Sequence, residues 1–327
     1  MKLPADPNLL VYFEGAFHKL QDARVGILTH ALHYGTGVFE GIRGYWVAEE
    51  RELFLFRPLE HYKRFRHNTG IVRIQLPLTA SELCDLTADL IARNEFKTDI
   101  YVRPLAYKSG QRIGVHFGPE DDFALVAVPF GDYIDSTKGL HVGVSSWRRI
   151  EDNSIPSRGK ICGAYVNSAL AGDEARRNGF DEAILLNEHG HVAEGSASNL
   201  FMVRHGKLIT PPVYENILEG ITRDTIMRLA REELGLEVEQ RPLDRTELYI
   251  CDELFFCGTA FELAPIISVD HRVVGNGAIG PIAEQLRQLY RAASHGRLAR
   301  YRHWCFPVYQ RVFDARPDTI GAHRTAA

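Results

Sequence analysis

Apolar and polar positions change period several times along this chain. In its first part, Leu9–Phe17 reads as a strand that turns at Glu14-Gly15, and Leu53–Arg57 reads as a short buried strand. Leu59–His67 predicts a helix. In Ser81–Asn94, Leu83, Leu86, Leu90 and Ile91 fall on one helical face. Tyr101–Tyr107 and Phe123–Phe130 are apolar, partly β-branched runs that predict strands. Gly131–Gly139 is polar and turn-rich, so residues 131–139 are expected to link a small N-terminal domain, 1–130, to a larger C-terminal domain, 140–327.

The second part opens with a strand, His141–Trp147, and a long loop through Pro156. Two hairpins follow: Ala183–Asn187 with His191–Gly195, and Leu200–Arg204 with Lys207–Thr210. Ile221–Leu234 is an amphipathic helix that stops at Gly235, Glu253–Val274 is rich in strand signals, and Pro281–Ala293 reads as a last helix. Strands dominate without regular βαβ alternation. The expected fold class is α+β or α/β, with two domains and a β-rich, barrel-like C-terminal domain flanked by helices.

Composition narrows the function classes. The 327 residues are 45% hydrophobic and 24% charged, which suits a globular protein that needs no staples for its core. A net charge of −4 argues against the broad basic face of a nucleic-acid protein. No apolar run approaches the roughly 18 residues that a membrane span needs. Met1–Asp6 lacks the apolar stretch of a signal peptide, and five cysteines without a C-x-x-C pair suit reduced thiols. The expectation is a cytoplasmic protein that binds neither membrane nor nucleic acid. Only eight lysines stand among 38 basic residues, and none follows Lys207, so few amine nucleophiles are available.

Several motifs reduce to ordinary structure. Gly275-Asn276-Gly277-Ala278-Ile279-Gly280 spells the dinucleotide fingerprint, the basis of a remote NAD-dependent oxidoreductase reading. Pro281 follows it directly, and position 300 is an arginine rather than the acidic ribose partner, so a turn and helix entry explains it better. His30 and His33 lack a glutamate and further clustered ligands, so no metal site is expected. No G-x-S-x-G elbow supports a serine hydrolase.

Four segments point elsewhere. Lys160 lies between an irregular loop and a helix, among small and apolar neighbours. A lone lysine is ordinarily a solvated surface residue, but one buried beside another cation becomes a Schiff-base nucleophile. Glu194 ends a hairpin strand beside Gly195; alone, it reads as a solvent-facing acid. Gly220-Ile221-Thr222-Arg223 opens a helix whose free N–H groups suit a phosphate, or is simply a helix start. Gly258-Thr259-Ala260 ends a Phe-rich strand and offers another hydroxyl and N–H pair. A reactive lysine, a carboxylate and a phosphate cradle together are what pyridoxal 5'-phosphate requires.

These strings, in this order, resemble the class IV (fold-type IV) aminotransferases, and the branched-chain amino acid aminotransferases most of all. The resemblance rests on Lys160 … Gly163-Ala164-Tyr165 … Asn167-Ser168, Glu194-Gly195 with Asn199-Leu200-Phe201, Thr210-Pro211-Pro212, Gly220–Arg223 and Gly258–Ala260. Upstream it extends through the run from His30 to Arg43, which includes Tyr34, Phe39 and Gly41. It implies a two-domain enzyme that transaminates leucine, isoleucine or valine with 2-oxoglutarate, giving 2-oxo acids and L-glutamate. Lys160 would hold the cofactor and shuttle a proton, Glu194 would meet the pyridine nitrogen, Tyr165 the phenolic oxygen, and Leu218 the ring. Arg64, Ile221, Thr222 and Thr259 would grip the phosphate.

The same resemblance assigns the substrate pocket. Tyr34, Phe39, Gly41, Tyr101, Phe130 and Tyr133 would line it, with Arg103 receiving the distal carboxylate of glutamate. Thr259 and Ala260 would take the α-carboxylate. Ile113-Gly114-Val115 looks like a loop that reaches into a neighbouring subunit, implying a homodimer or larger homo-oligomer. Phe130 stands where relatives often have tryptophan. Tyr101-Val102-Arg103 is unlike the patterns of the related D-amino acid and (R)-amine transaminases and aminodeoxychorismate lyase, which are the alternatives within the fold.

Overall fold

The computed structural model describes residues 6–131 and 134–315. It divides into two compact units, Met1–Gly131 with Ala292–Ala327, and Asp132–Arg291.

The first unit contains β1 (Leu10–Phe13), β2 (Ala16–Lys19), α1 (His30–Tyr34), β3 (Gly37–Phe39), β4 (Ile42–Val47), β5 (Glu52–Phe56), α2 (Pro58–Ile71), α3 (Ala80–Arg93), β6 (Ile100–Lys108) and β7 (Asp121–Pro129). The run Leu9–Phe17 becomes the β1–β2 hairpin, turned by Gly15 at a φ of +80° that a glycine adopts without steric cost. A capping box opens α3: Glu82 N–H donates to Thr79 Oγ1 at 3.2 Å, and Thr79 N–H donates back to Glu82 at 2.7 Å. The helix buries Leu83, Ala88, Leu90 and Ile91. Strands β6 and β7 pair antiparallel from Ile100↔Pro129 to Lys108↔Asp121. The pattern reading gave no strands between Gly37 and Val47, because β3 and most of β4 are buried without alternation and carry Arg43 into the interior.

The second unit contains β8 (Leu140–Arg148), α4 (Tyr165–Arg177), β9 (Glu182–Leu186), β10 (Val192–Gly195), β11 (Asn199–Arg204), β12 (Lys207–Thr210), α5 (Ile221–Glu233), β13 (Val238–Gln240), β14 (Glu253–Gly258), β15 (Glu262–Val269) and β16 (Arg272–Val273). One mixed sheet runs β10-β9-β8-β15-β14-β11-β12-β13, with β16 beside β15. Val142, Ile184, Leu200, Met202, Leu254, Phe256 and Ile266 form its buried face. Asn199 pairs with Cys257, and Gly195 N–H donates to Ser198 O at 2.7 Å, so the ends of β10, β11 and β14 converge. That convergence sets the positions of Glu194, Asn199 and Gly258.

The expected C-terminal domain of 140–327 is shorter in the structure. Helix α6 (Pro281–Ser294) leaves the second unit at Arg291, and β17 (Cys305–Pro307) and α7 (Val308–Ala315) belong with the first. Strand β17 extends the first sheet, which runs β17-β5-β4-β6-β7-β1-β2 with β3 beside β6. The Glu52 carboxylate caps α7 by accepting from Tyr309 N–H at 2.7 Å and Gln310 N–H at 2.9 Å. A tail held by strand pairing leaves no periodic signal of its own.

The turn before α6 disposes of the dinucleotide fingerprint. Ile282 and Ala283 N–H donate to the Glu253 carboxylate at 3.0 and 2.8 Å, so a carboxylate already fills the anion position at this helix start. Among the described residues no helix is long and apolar enough to cross a membrane, and no cluster of side chains could hold a metal ion.

Candidate active site

Lys160 closes the long loop after β8. A single 3-10 turn, Cys162–Ala164, then leads into α4, whose first residue is Tyr165. This tight turn brings the Lys160 amine to the Tyr165 hydroxyl, with Nζ donating at 2.7 Å. Both side chains are half-buried, open enough to meet a ligand.

Glu194, which alone reads as a solvent-facing acid, is 5% exposed. One carboxylate oxygen faces Arg149 at 2.9 Å. The other accepts from Asn199 Nδ2 at 2.9 Å and Leu218 N–H at 3.1 Å. Burial, the largest influence, pushes its proton affinity above the usual carboxylate range, while Arg149, the Leu218 N–H, Lys160 and Arg223 pull the other way. Gly195 is required here, since a Cβ would lie 2.8 Å from the Phe256 ring.

Gly220 begins α5 in extended conformation and, lacking a side chain, offers no cap of its own. A Cβ on Gly220 would fall well inside 3.0 Å of Asn199 Oδ1. Asn199 also donates to Leu218 O at 3.0 Å, so one asparagine ties Glu194, Leu218 and the start of α5 together. Arg223, one turn into the helix, is buried and donates to Pro211 O and Gln240 Oε1 at 2.9 and 2.8 Å, which fixes α5 against the sheet edge. Ile221 is half-buried and Thr222 buried, and Thr259 and Ala260 lie half-buried just past β14. Within the second unit, Asn199 ties Glu194 to Leu218, and the Lys160 charge is felt at Glu194.

The remaining candidates belong to the first unit. Arg64, on α2, meets Glu40 through two nitrogens, Nε at 2.6 Å and NH2 at 2.9 Å. Glu40 is fully buried and also contacts His61 Nδ1 at 2.9 Å. Burial raises its proton affinity, but the Arg64 charge and the hydrogen bonds from His61 and Arg64 outweigh that and hold it far below the usual range. Tyr101, Arg103, Phe39 and Phe130 form one cluster. Arg103 donates to Tyr101 Oη at 3.1 Å and covers the Phe39 ring at 4.4 Å, and the Tyr101 and Phe130 rings are 4.9 Å apart. A Cβ on Gly41 would stand 2.6 Å from Tyr101 Cζ, so glycine makes room for the phenol. Tyr34 Oη accepts from Gly114 N–H at 2.9 Å, and the buried His30 contacts Gly114 O, also at 2.9 Å, anchoring a loop whose Ile113 and Val115 are 79% and 68% exposed. Tyr133 lies outside the described residues.

Residues 37–269 match the family described as amino-transferase class IV. The chain is 46% identical over 303 residues to a probable branched-chain-amino-acid aminotransferase of Aquifex aeolicus, covering 92% of this chain and 97% of that one. Among solved structures it resembles the branched-chain aminotransferase of the thermophilic archaeon Thermoproteus uzoniensis with norvaline, at a TM-score of 0.88 and 41% identity over 92% of this chain and 99% of that chain. It also resembles the branched-chain amino acid aminotransferase of Thermobaculum terrenum in its PLP-bound holo-form, at a TM-score of 0.88 and 41% identity over 93% and 99% of the two chains. The chain belongs to the class IV aminotransferases.

The family implies pyridoxal 5'-phosphate, and the second unit has the matching donor set. An amine stands beside a phenol, a buried carboxylate lies in the same unit, and a helix start follows a glycine whose missing Cβ makes room for Asn199. Sequence reasoning missed Arg149, which has no pattern around it, and left Glu40, His61 and Asn199 without roles. Asn199 could have been found, because it stands in the Asn199-Leu200-Phe201 string directly after Glu194 and Gly195.

Proposed function

We propose that this protein transaminates leucine, isoleucine and valine with 2-oxoglutarate, using pyridoxal 5'-phosphate attached at Lys160. The observation that carries the reading is the Lys160–Tyr165 contact in the same unit as the buried Glu194, within a chain of this family. When bound, pyridoxal phosphate supplies an electron sink for negative charge at the substrate Cα. Lys160 Nζ would take the Cα proton and return it during transamination, with the Tyr165 hydroxyl orienting that amine. Glu194 would hold a proton at the pyridine nitrogen, and Leu218 would pack against the ring. Ile221 and Thr222 N–H groups and the Thr259 hydroxyl would bind the phosphate, and the family resemblance gives the Arg64 guanidinium the same role.

Thr259 and Ala260 N–H groups receive the α-carboxylate. Tyr34, Phe39, Gly41, Tyr101, Phe130 and Tyr133 enclose the side chain, while Arg103 answers a distal carboxylate. Aromatic walls bury an aliphatic chain, and an arginine with a tyrosine hydroxyl satisfies a carboxylate, so one pocket can serve both substrates in turn. Ile113 and Val115 extend from a loop anchored on Tyr34, which supports a homodimer in which that loop meets the partner's pocket. None of the five cysteines forms a disulfide among the described residues, in keeping with a cytoplasmic protein.

The test is borohydride reduction of the purified protein followed by peptide mapping, together with a donor panel. The expected result is cofactor fixed on Lys160 and turnover with L-leucine. A label on another residue, or preference for D-alanine or (R)-phenylethylamine over L-leucine, overturns the reading. Light scattering that gives only monomer removes the dimer.

A further inference from the structure

We propose that Arg149 is a positioning residue for this reaction: its guanidinium holds Glu194 as a carboxylate, so that the proton shared with the cofactor ring resides on the ring nitrogen. This rests on the reading of Glu194 given above.

The geometry singles out Arg149 among the groups around Glu194. The two neighbours of Glu194 Oε2, Asn199 Nδ2 and the Leu218 N–H, are neutral donors. Arg149 NH2 meets Oε1 at 2.9 Å, with side chains 11% and 6% exposed. A charge-assisted contact in such a site favours the ionised form much more than a neutral donor does. Arg149 is held on its other side too. Its N–H donates to Leu186 O at 2.8 Å, and its Nε donates to Asn216 O at 3.2 Å. Asn216 adopts a left-handed φ of 59°, and its amide donates to Glu188 at 2.6 Å, which fixes the accepting carbonyl. The arginine is therefore preorganised on the carboxylate.

The other charged or titratable neighbours do not replace it. Lys160 and Arg223 act on Glu194 more weakly than Arg149 does, and Cys257 on β14 is pushed high by burial and stays a neutral thiol. Burial is the main force driving Glu194 to take up a proton, and Arg149 is the largest influence opposing it. If Arg149 loses its charge, the shared proton moves from the ring nitrogen to Glu194 Oε. No oxidation is involved; one N–H bond becomes an O–H bond, and the ring loses the positive charge that draws electrons from Cα.

The experiment compares the parent holoenzyme with R149M, R149Q and R149K. The probe is pyridoxal phosphate labelled at its ring nitrogen, whose NMR shift reports protonation directly. In R149M and R149Q the expected signal moves toward the unprotonated ring at neutral pH. The leucine half-reaction should slow at least about tenfold with KM within about threefold, the pattern of a lost transition-state effect. R149K, which keeps the charge, should restore the protonated signal and most of the rate. The proposal is overturned if either folded neutral variant retains the parent's ring signal, or if R149K is as impaired as R149M, which would mark a brace that only the guanidinium shape satisfies. E194Q separates the two ideas: if it leaves the ring signal unchanged, the assignment of Glu194 to the ring nitrogen fails, independently of how Arg149 holds Glu194.

Discussion

The Lys160 amine stands 2.7 Å from the Tyr165 hydroxyl, two groups joined by one tight turn at the start of α4. Each fixes the direction of the other. Lys160→Ala is expected to abolish transamination while leaving the melting temperature near that of the parent. Tyr165→Phe removes one hydrogen bond to a charged group, worth about 1.5–3 kcal/mol, and should slow the leucine half-reaction about 10–100-fold. Stopped-flow single turnovers check both; a Tyr165→Phe enzyme at the parental rate would remove the hydroxyl from the reaction.

Gly220→Ala probes the approach of α5 to Asn199. The backbone there is extended and accepts alanine, so the whole effect comes from the Cβ overlapping Asn199 Oδ1. Overpacking of this kind costs about 1–3 kcal/mol. Thermal melts should show that loss, and cofactor titration should show affinity reduced about tenfold or more. Unchanged cofactor affinity would place the phosphate elsewhere.

Arg103→Met separates the two substrates. The guanidinium lies over Phe39 and against Tyr101, where methionine keeps much of the apolar surface. KM for 2-oxoglutarate and glutamate should rise about 10–100-fold, as expected when a charge-assisted contact is lost. KM for leucine should stay within about threefold. Equal damage to both half-reactions would show that Arg103 shapes the pocket rather than reading a carboxylate.

Acid should destabilise the first unit in two stages, because both shifts have the same sign. Burial, the leading cause, holds the His61 ring below its ordinary value of 6.5, so the unfolded chain takes up that proton first and stability falls as pH drops through 6.5. Glu40 is held far below its ordinary 4.5, so its contribution is full above 4.5 and is lost progressively as pH falls below it. Glu40→Gln should lower Tm at neutral pH and flatten the decline below pH 4.5, while keeping the step near 6.5. Calorimetry across this range provides the check, and an unaltered low-pH slope would be the contrary result.

Glu253→Ala removes the carboxylate at the start of α6. Loss of such a cap costs about 0.5–2 kcal/mol. Chemical denaturation should show that loss with transamination unaffected. The parent is expected to bind no NAD, measured by calorimetric titration.

Much of this molecule was legible because local rules govern it. The α3 capping box, the β6–β7 pairing, the hairpins about Gly190 and Gly206 and the start of α5 all follow from period and turn chemistry acting within a few residues. The ordered strings around Lys160, Tyr165, Glu194, Gly220 and Thr259 likewise marked the family. Where burial on both faces erased alternation, as in β3 and β4, or where a tail gained its place only by pairing, as in β17, the pattern was silent.

By itself, the sequence determined which groups could react: an amine, a phenol, a carboxylate and a helix start that follows a glycine. The tertiary structure decided their states. Arg149, Asn199 and Glu194 are spread over 50 positions, and only the convergence of β8, β10 and β11 places a guanidinium and an amide on one buried carboxylate. Glu40 reads as one more acid until the fold buries it between His61 and Arg64. Residue type sets what a group can do, while burial and neighbouring charge set whether it carries its proton, and those are properties of packing across distant segments.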